Sequence, residues 1–135
     1  MKRNMRGVTL IELMLVIVVL AIIASIAVPS YRSYLIRAQR TEGTGALLQI
    51  QQAQEKFFLQ NSRYGTTAAE LNLSAVTPNN RYDVAINSPT STTYTATASP
   101  HAGGGQEVDG HCQAFTINEQ GQRGSSPDPI TTCWK

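Results

Sequence analysis

Charge is scarce in this chain: only 15% of its 135 residues are Asp, Glu, Lys or Arg, and there are just two histidines, two cysteines and one tryptophan. Each shortage removes a class of chemistry. His101 and His111 lie in a glycine-rich stretch near Cys112, but with Cys133 they do not make the paired spacing of a zinc site. Gly103-Gly104-Gly105 is not followed by the Gly-Lys-Ser/Thr that lets a loop cradle phosphates, so it reads as a flexible turn. Glu107, Asp109 and Asp128 are too sparse for a calcium loop. No nucleophile, base and orienting group stand at telling spacings. The expectation is a protein that is not an enzyme and carries no cofactor or metal. A strongly basic body is missing too, since 11 basic residues face 9 acidic ones. The length allows one small domain and an appendage.

What the chain does have is one long apolar run near its start. Leu13 to Val28 holds a single weakly polar residue, Ser25, and extension back to Val8 adds only Thr9 and Glu12. As a helix, Leu10 to Val28 spans about 28 Å, close to the hydrocarbon thickness of a bilayer. Three readings compete. A secretory signal peptide would have its basic region at Lys2, Arg3 and Arg6 and be cut after Ala27. A plain anchor would keep the whole run, with Glu12 near the interface. Basic residues flank both ends, Arg32, Arg37 and Arg40 following the run, so charge bias does not orient it. Cys112 and Cys133 favour a disulfide in an oxidising compartment, hence an exported C-terminal body.

The third reading uses the glutamate, which is costly inside a membrane and has no purpose in an ordinary signal peptide. Arg6-Gly7-Val8-Thr9-Leu10-Ile11-Glu12 resembles the prepilin motif of type IV pilins and pseudopilins. A short basic leader, a glycine before the apolar run, glutamate at the fifth position after it and proline at the twenty-second, Pro29, all match. Val8 departs from the phenylalanine usual there. The resemblance implies cleavage after Gly7 by a prepilin peptidase, N-methylation of Val8, and a part for Glu12 and Pro29 in filament assembly. In the family, the glutamate meets the new α-amine of a neighbouring subunit, which gives a buried charge its partner. Removing Lys2, Arg3 and Arg6 also turns the net charge from +2 to −1.

After Pro29 the helical pattern continues, with Leu35, Ala38, Ala46, Leu47, Ile50, Ala53, Phe57 and Phe58 near one stripe and Gln, Arg, Lys and Glu on the other face. Asn61 and Gly65 offer a stop, so the helix from Val8 to Gln60 would be about 80 Å long. Pro29 should kink it, and Gly43 and Gly45 should soften it; the alternative is a helix end near Thr41. Past Tyr64 the pattern alternates with period two over 82–87, 93–99 and 113–118, with connections at 87–92 and 119–122, which predicts a three- or four-stranded antiparallel meander on the helix. The fold class is α+β. A Cys112–Cys133 bond would staple the Gly, Ser and Pro-rich stretch from Arg123 to Ile130, otherwise a loose tail.

Thr41-Glu42-Gly43, Gln54-Glu55, Tyr64, the Pro89 to Thr95 stretch, Cys112, Asn118, Gly121, Arg123-Gly124 and Cys133-Trp134, taken in order, resemble PilE-type minor pilins of type IVa pili. That resemblance implies the type IV pilin fold: a leader at 1–7, a membrane and assembly helix at 8–29, and a periplasmic domain at 30–135 closed by the disulfide. It also implies an inner-membrane precursor with its C-terminus in the periplasm, later part of the pilus on the cell surface. The implied partners are prepilin peptidase, other major and minor pilins and the inner-membrane assembly platform, in support of twitching motility, adhesion or DNA uptake. A major pilin or a type II secretion pseudopilin is the neighbouring alternative, although major pseudopilins typically have a calcium loop in place of the disulfide. A monomeric anchored or secreted binding domain is the alternative of another class. From Ser30 onward eight basic residues balance eight acidic ones, so direct binding of nucleic acid is not expected unless a local patch such as Arg81 with Arg123 forms.

Overall fold

The structure, a computed structural model, describes residues Gly7 to Trp134. The leader's Lys2, Arg3 and Arg6, and Lys135, lie outside the described residues. Two compact units divide the chain, one ending at Leu35 and one beginning at Ile36.

Helix α1 runs without interruption from Leu10 to Asn61, with Pro29 inside it. It does not end near Thr41. Its stop is local: Ser62 takes a left-handed conformation with φ of 53° and donates to the Phe58 carbonyl, while the Asn61 side chain donates to the Phe57 carbonyl. Continuation through the glycines has a packing reason. Gly43 is buried, and a Cβ there would stand 3.1 Å from the Tyr82 ring, so the helix and the first strand approach closely enough that alanine would require the ring to shift.

The buried positions of α1 are Arg40, Gly43, Leu47, Ile50 and Gln54, spaced alternately by three and four residues. Two of them correct the expected polar face. Gln54 can be buried because both ends of its amide are paired: Nε2 donates to the Gly65 carbonyl at 2.8 Å and Oε1 accepts from the Gly65 N–H at 2.7 Å. It ties the turn after α1 to the helix and replaces water as the partner. Arg40 is buried against Asp109.

Four strands, β1 (Tyr82–Thr90), β2 (Thr93–Pro100), β3 (Cys112–Asn118) and β4 (Arg123–Pro127), form an antiparallel sheet in chain order, and a one-turn helix α2 (Ile130–Cys133) follows. The meander is as expected. Pro89 belongs to β1 itself rather than to the connection, which is tolerable because β1 is an edge strand and its register shifts between Asn87 and Thr90. Alternation buries Tyr82 and Val84 of β1 and Tyr94, Ala96 and Ala98 of β2. In β3 the parity changes, since Cys112, Phe115 and Ile117 are all buried. A register irregularity between Cys112 and Ala114 lets the cysteine face the same way as Phe115.

With the disulfide formed, the first part of the segment from Arg123 to Ile130 is strand β4 (Arg123–Pro127). It pairs along β3, with Ile117 opposite Arg123 and Phe115 opposite Ser125. The β3–β4 turn is set by Gly121, with φ of 72°, and by the Asn118 side-chain oxygen, which accepts from the N–H groups of Gln120 and Gln122. Trp134 closes the end of this unit: its indole N–H donates to the Gly124 carbonyl at 2.7 Å, and its ring stands edge-on to Phe115.

Candidate functional site

In the unit that ends at Leu35, helix α1 begins with a cap. The Thr9 hydroxyl accepts from the Glu12 N–H at 3.3 Å, and its carbonyl accepts from the Leu13 N–H. Thr9 to Glu12 thus has the Ser/Thr-x-x-Glu spacing of a capping box, a signal in the sequence that points to a helix starting at Leu10. Among the described residues no hydrogen-bond donor or cation holds the Glu12 carboxylate, which is exposed. Its negative charge lies in the first turn, where the helix dipole favours it.

The residues that follow are apolar and exposed on every side of the helix. Leu13 is 60% accessible, Ile17 56% and Ile26 69%. Ser25, the weakly polar interruption, donates its hydroxyl to the Ile22 carbonyl at 2.7 Å, so it needs no external partner. A contiguous apolar surface of this extent marks a site for lipid or protein. By length and composition the N-terminal part of α1 suffices to cross a membrane.

Gly7, Val8, Glu12 and Pro29 therefore lie in one unit, and Cys112 and Cys133 in the other. The two cysteines are bonded to each other, with Cα atoms 5.8 Å apart. Neither thiolate is available as a metal ligand. His101 Nδ1 lies 2.7 Å from Asp83, and His111 Nδ1 lies 2.9 Å from Asp128, so each histidine has its own carboxylate.

Among the described residues, Arg40, Arg63, Arg81 and Arg123 each have a separate partner. Arg40 is committed to Asp109, Arg63 to Glu70 at 3.2 Å, and Arg81 to Glu42 at 3.2 Å. Arg123 stacks over Trp134, 4.9 Å from the ring centroid. Arg81 precedes β1 and Arg123 opens β4, the two edge strands, and the register puts Arg123 in the row of Ile86 rather than of Tyr82. Their backbones are on the order of 20 Å apart. The signal for Arg40 in the sequence is its place seven residues before Leu47 on the buried face of α1; the other pairings have none.

The partners of Glu42 act against each other. Burial pushes its pKa up, while hydrogen bonds from Thr77 and Asn79 and the Arg81 charge bring it below the ordinary value of 4.5. Tyr82 is pushed well above the ordinary tyrosine range, by burial first and then by the Asp109 charge; its hydroxyl donates to Gln106.

Comparison with known families decides what this pairing of an exposed apolar helix and a stapled α+β unit is. Residues 29–116 match the family model "Type IV minor pilin ComP, DNA uptake sequence receptor", and residues 2–28 match the prokaryotic N-terminal methylation motif. The chain belongs to the ComP family of type IV minor pilins. As a minor pilin it shares 35% identity over 77 residues with the type IV major pilin protein PilA of Myxococcus xanthus (strain DK1622), across 57% of this chain and 34% of that protein. This minor pilin thus spans about a third of the length of that curated relative. The fold is that of the non-core minor pilin PilV of Neisseria meningitidis, with a TM-score of 0.56 at 21% identity over 70% of this pilin and 89% of the other chain. The methylation motif coincides with the apolar start of α1, the arrangement of a pilin anchored in a membrane before assembly.

Proposed function

We propose that this minor pilin is made as a precursor whose residues 1–7 are removed after Gly7 by prepilin peptidase, and whose new N-terminus, Val8, is methylated. Residues 8–29 then hold it in the inner membrane, with residues 30–135 in the periplasm, until the assembly platform transfers it into a pilus among other major and minor pilins. It is a substrate and a building block, not a catalyst. On the cell surface the filament serves twitching motility and adhesion.

One observation carries this reading: from Leu10 to Val28 an apolar helix leaves its side chains exposed. Those side chains find no cover in their own unit, so their partners are lipid first and other subunits afterwards. Glu12 supplies direction. A carboxylate without a partner costs about 2.5–3.5 kcal/mol at the bilayer centre and less toward its edge, and an α-amine at Val8 of a neighbouring subunit offsets that cost within a filament. Pro29, at the end of the apolar run, takes one amide donor out of the helix and marks a bending point for packing. Glu12→Ala should leave cleavage intact and reduce the subunit in sheared filaments by more than tenfold. Incorporation at the parental level would overturn the reading.

A second role, in DNA uptake, is favoured by the description of the matched family as a DNA uptake sequence receptor. With Arg40, Arg63 and Arg81 committed to carboxylates, binding through phosphates would draw on few cations and show a shallow salt dependence. Fluorescence anisotropy of the detergent-solubilised full chain with duplex DNA, titrated across salt concentrations, tests it. A steep slope would contradict the charge accounting, and no binding at low salt would remove the role.

A further inference from the structure

The buried pair of Arg40 and Asp109 has no part in the filament chemistry above, yet it touches both sides of the disulfide. Arg40 Nε is 2.7 Å from Asp109 Oδ2 and Nη2 is 2.9 Å from Oδ1, a two-pronged contact whose side chains are 8% and 1% exposed. The same Asp109 Oδ1 accepts from the N–H of Cys112 at 3.4 Å and of its neighbour His111 at 3.2 Å. The third nitrogen, Arg40 Nη1, donates to the carbonyl of Thr132 at 3.3 Å, one residue before Cys133. Each cysteine is thus held through its own or the adjacent backbone by one ion pair rooted in helix α1.

We propose that Arg40 and Asp109 are positioning residues for disulfide closure, which hold Cys112 and Cys133 within reach of each other before the bond forms. The cysteines need such a device. They lie 21 residues apart in sequence; the β3–β4 ladder brings Cys112 opposite Pro127, but Cys133 lies beyond it on a helix of only four residues, too short to keep its place unaided. Besides the Arg40 contact, the Trp134 indole on Gly124 holds that segment. The pair has its own reason to stay closed in the reduced chain, because separating it would leave a buried charge without a partner. By linkage, a pair that favours the disulfide is favoured by it to the same degree.

Closure with oxidised glutathione is two exchanges. One cysteine thiolate attacks the glutathione disulfide and releases a glutathione thiolate; the second cysteine thiolate displaces the other glutathione from the mixed disulfide. Two electrons pass to glutathione and the two cysteine protons to solvent. The ion pair acts on the second exchange, through the effective concentration of one thiol at the other.

The test is the thiol–disulfide equilibrium of the full chain in detergent, titrated with reduced and oxidised glutathione and read by alkylation and mass. Arg40→Gln and Asp109→Asn should each lower the effective thiol concentration tenfold or more, with Arg40→Lys in between. Ile50→Val, a core change away from the pair, should stay within twofold of the parent after correction to equal thermal stability. Values within twofold for both Arg40→Gln and Asp109→Asn would overturn the proposal. Should those variants not fold, hydrogen exchange of the double variant Cys112→Ser/Cys133→Ser decides. Amides 111, 112, 133 and 134 should stay protected without the bond, and loss of protection in both segments would overturn it.

Discussion

Residues 10–28 and residues 40–54 belong to the same helix, and their burial runs opposite to their hydropathy. In the first stretch Ile11, Ile17, Leu20 and Ile26 are more than half exposed, while in the second Arg40 and Gln54 are buried. Apolar character alone therefore does not decide what a helix covers. In the second stretch the sheet, the turn at Gly65 and the segment around Asp109 supply both apolar and hydrogen-bonding partners, so even a guanidinium is accommodated. In the first stretch the side chains have no such partners in their own unit, and the surface is left for lipid or other subunits.

The sharpest way to break this contrast is to truncate one apolar residue on each side of it. Phe115→Ala, in the core of the second unit and edge-on to both Tyr82 and Trp134, should cost about 3–5 kcal/mol and lower the melting temperature of the full chain in detergent by many degrees. Ile17→Ala, at an exposed site, should leave that transition in place. A comparable loss from both would mean that the first stretch is packed after all.

Removal of the staple comes next in size. Cys112→Ser with Cys133→Ser should cost about 3 kcal/mol in the chain-entropy account of a loop this long, measurable by urea unfolding. Since β4 is also held by its ladder to β3, the strand should persist and circular dichroism should stay close to that of the parent. Melting of β4 in the double variant would return the segment to the status of a tail.

A smaller and signed effect separates the two glycines of α1. A methyl added at Gly45 would meet nothing within 4 Å, so Gly45→Ala should stabilise by about 0.5–1 kcal/mol. At Gly43 the methyl would meet the Tyr82 ring, which is fully buried and tied to Gln106, so Gly43→Ala should destabilise by about 1 kcal/mol or more. Melting temperatures moving in the same direction for both would contradict the close approach.

The smallest effect is on acidification. Arg63, with the Thr66 N–H, holds Glu70 below its ordinary carboxylate value, and the donors around Glu42 outweigh its burial with the same result. A depressed folded pKa stabilises above the ordinary value of 4.5, and that contribution is lost as pH falls through the lower folded value. Stability should hold from pH 7 to about 5 and decline below 4.5, more gently in Glu42→Gln. A profile unchanged by that substitution would remove Glu42 from the account.

Much of this was legible in the sequence because it rests on local periodicity. The extent of α1 and the alternation of β1 and β2 are patterns of residue spacing, and the prepilin motif is a local resemblance, all read without knowing what packs where. What was illegible depends on distant partners. The burial of Arg40 needs Asp109, 69 positions away, and β4 has too many Gly, Ser and Pro residues to announce a strand; its partner β3 makes it one. The balance of charges was countable, but the commitment of Arg63 and Arg81 to carboxylates follows only from tertiary contacts, and the separation of Arg81 from Arg123 only from the register.

If the exposed apolar helix is that of a processed, assembling subunit, its N-terminus carries the mark of processing. Mass spectrometry of the N-terminal peptide, from sheared surface filaments and from membranes, should find N-methylated Val8 in both, with the subunit sparse on the surface. A chain that begins at Met1, or at Val28, would contradict it.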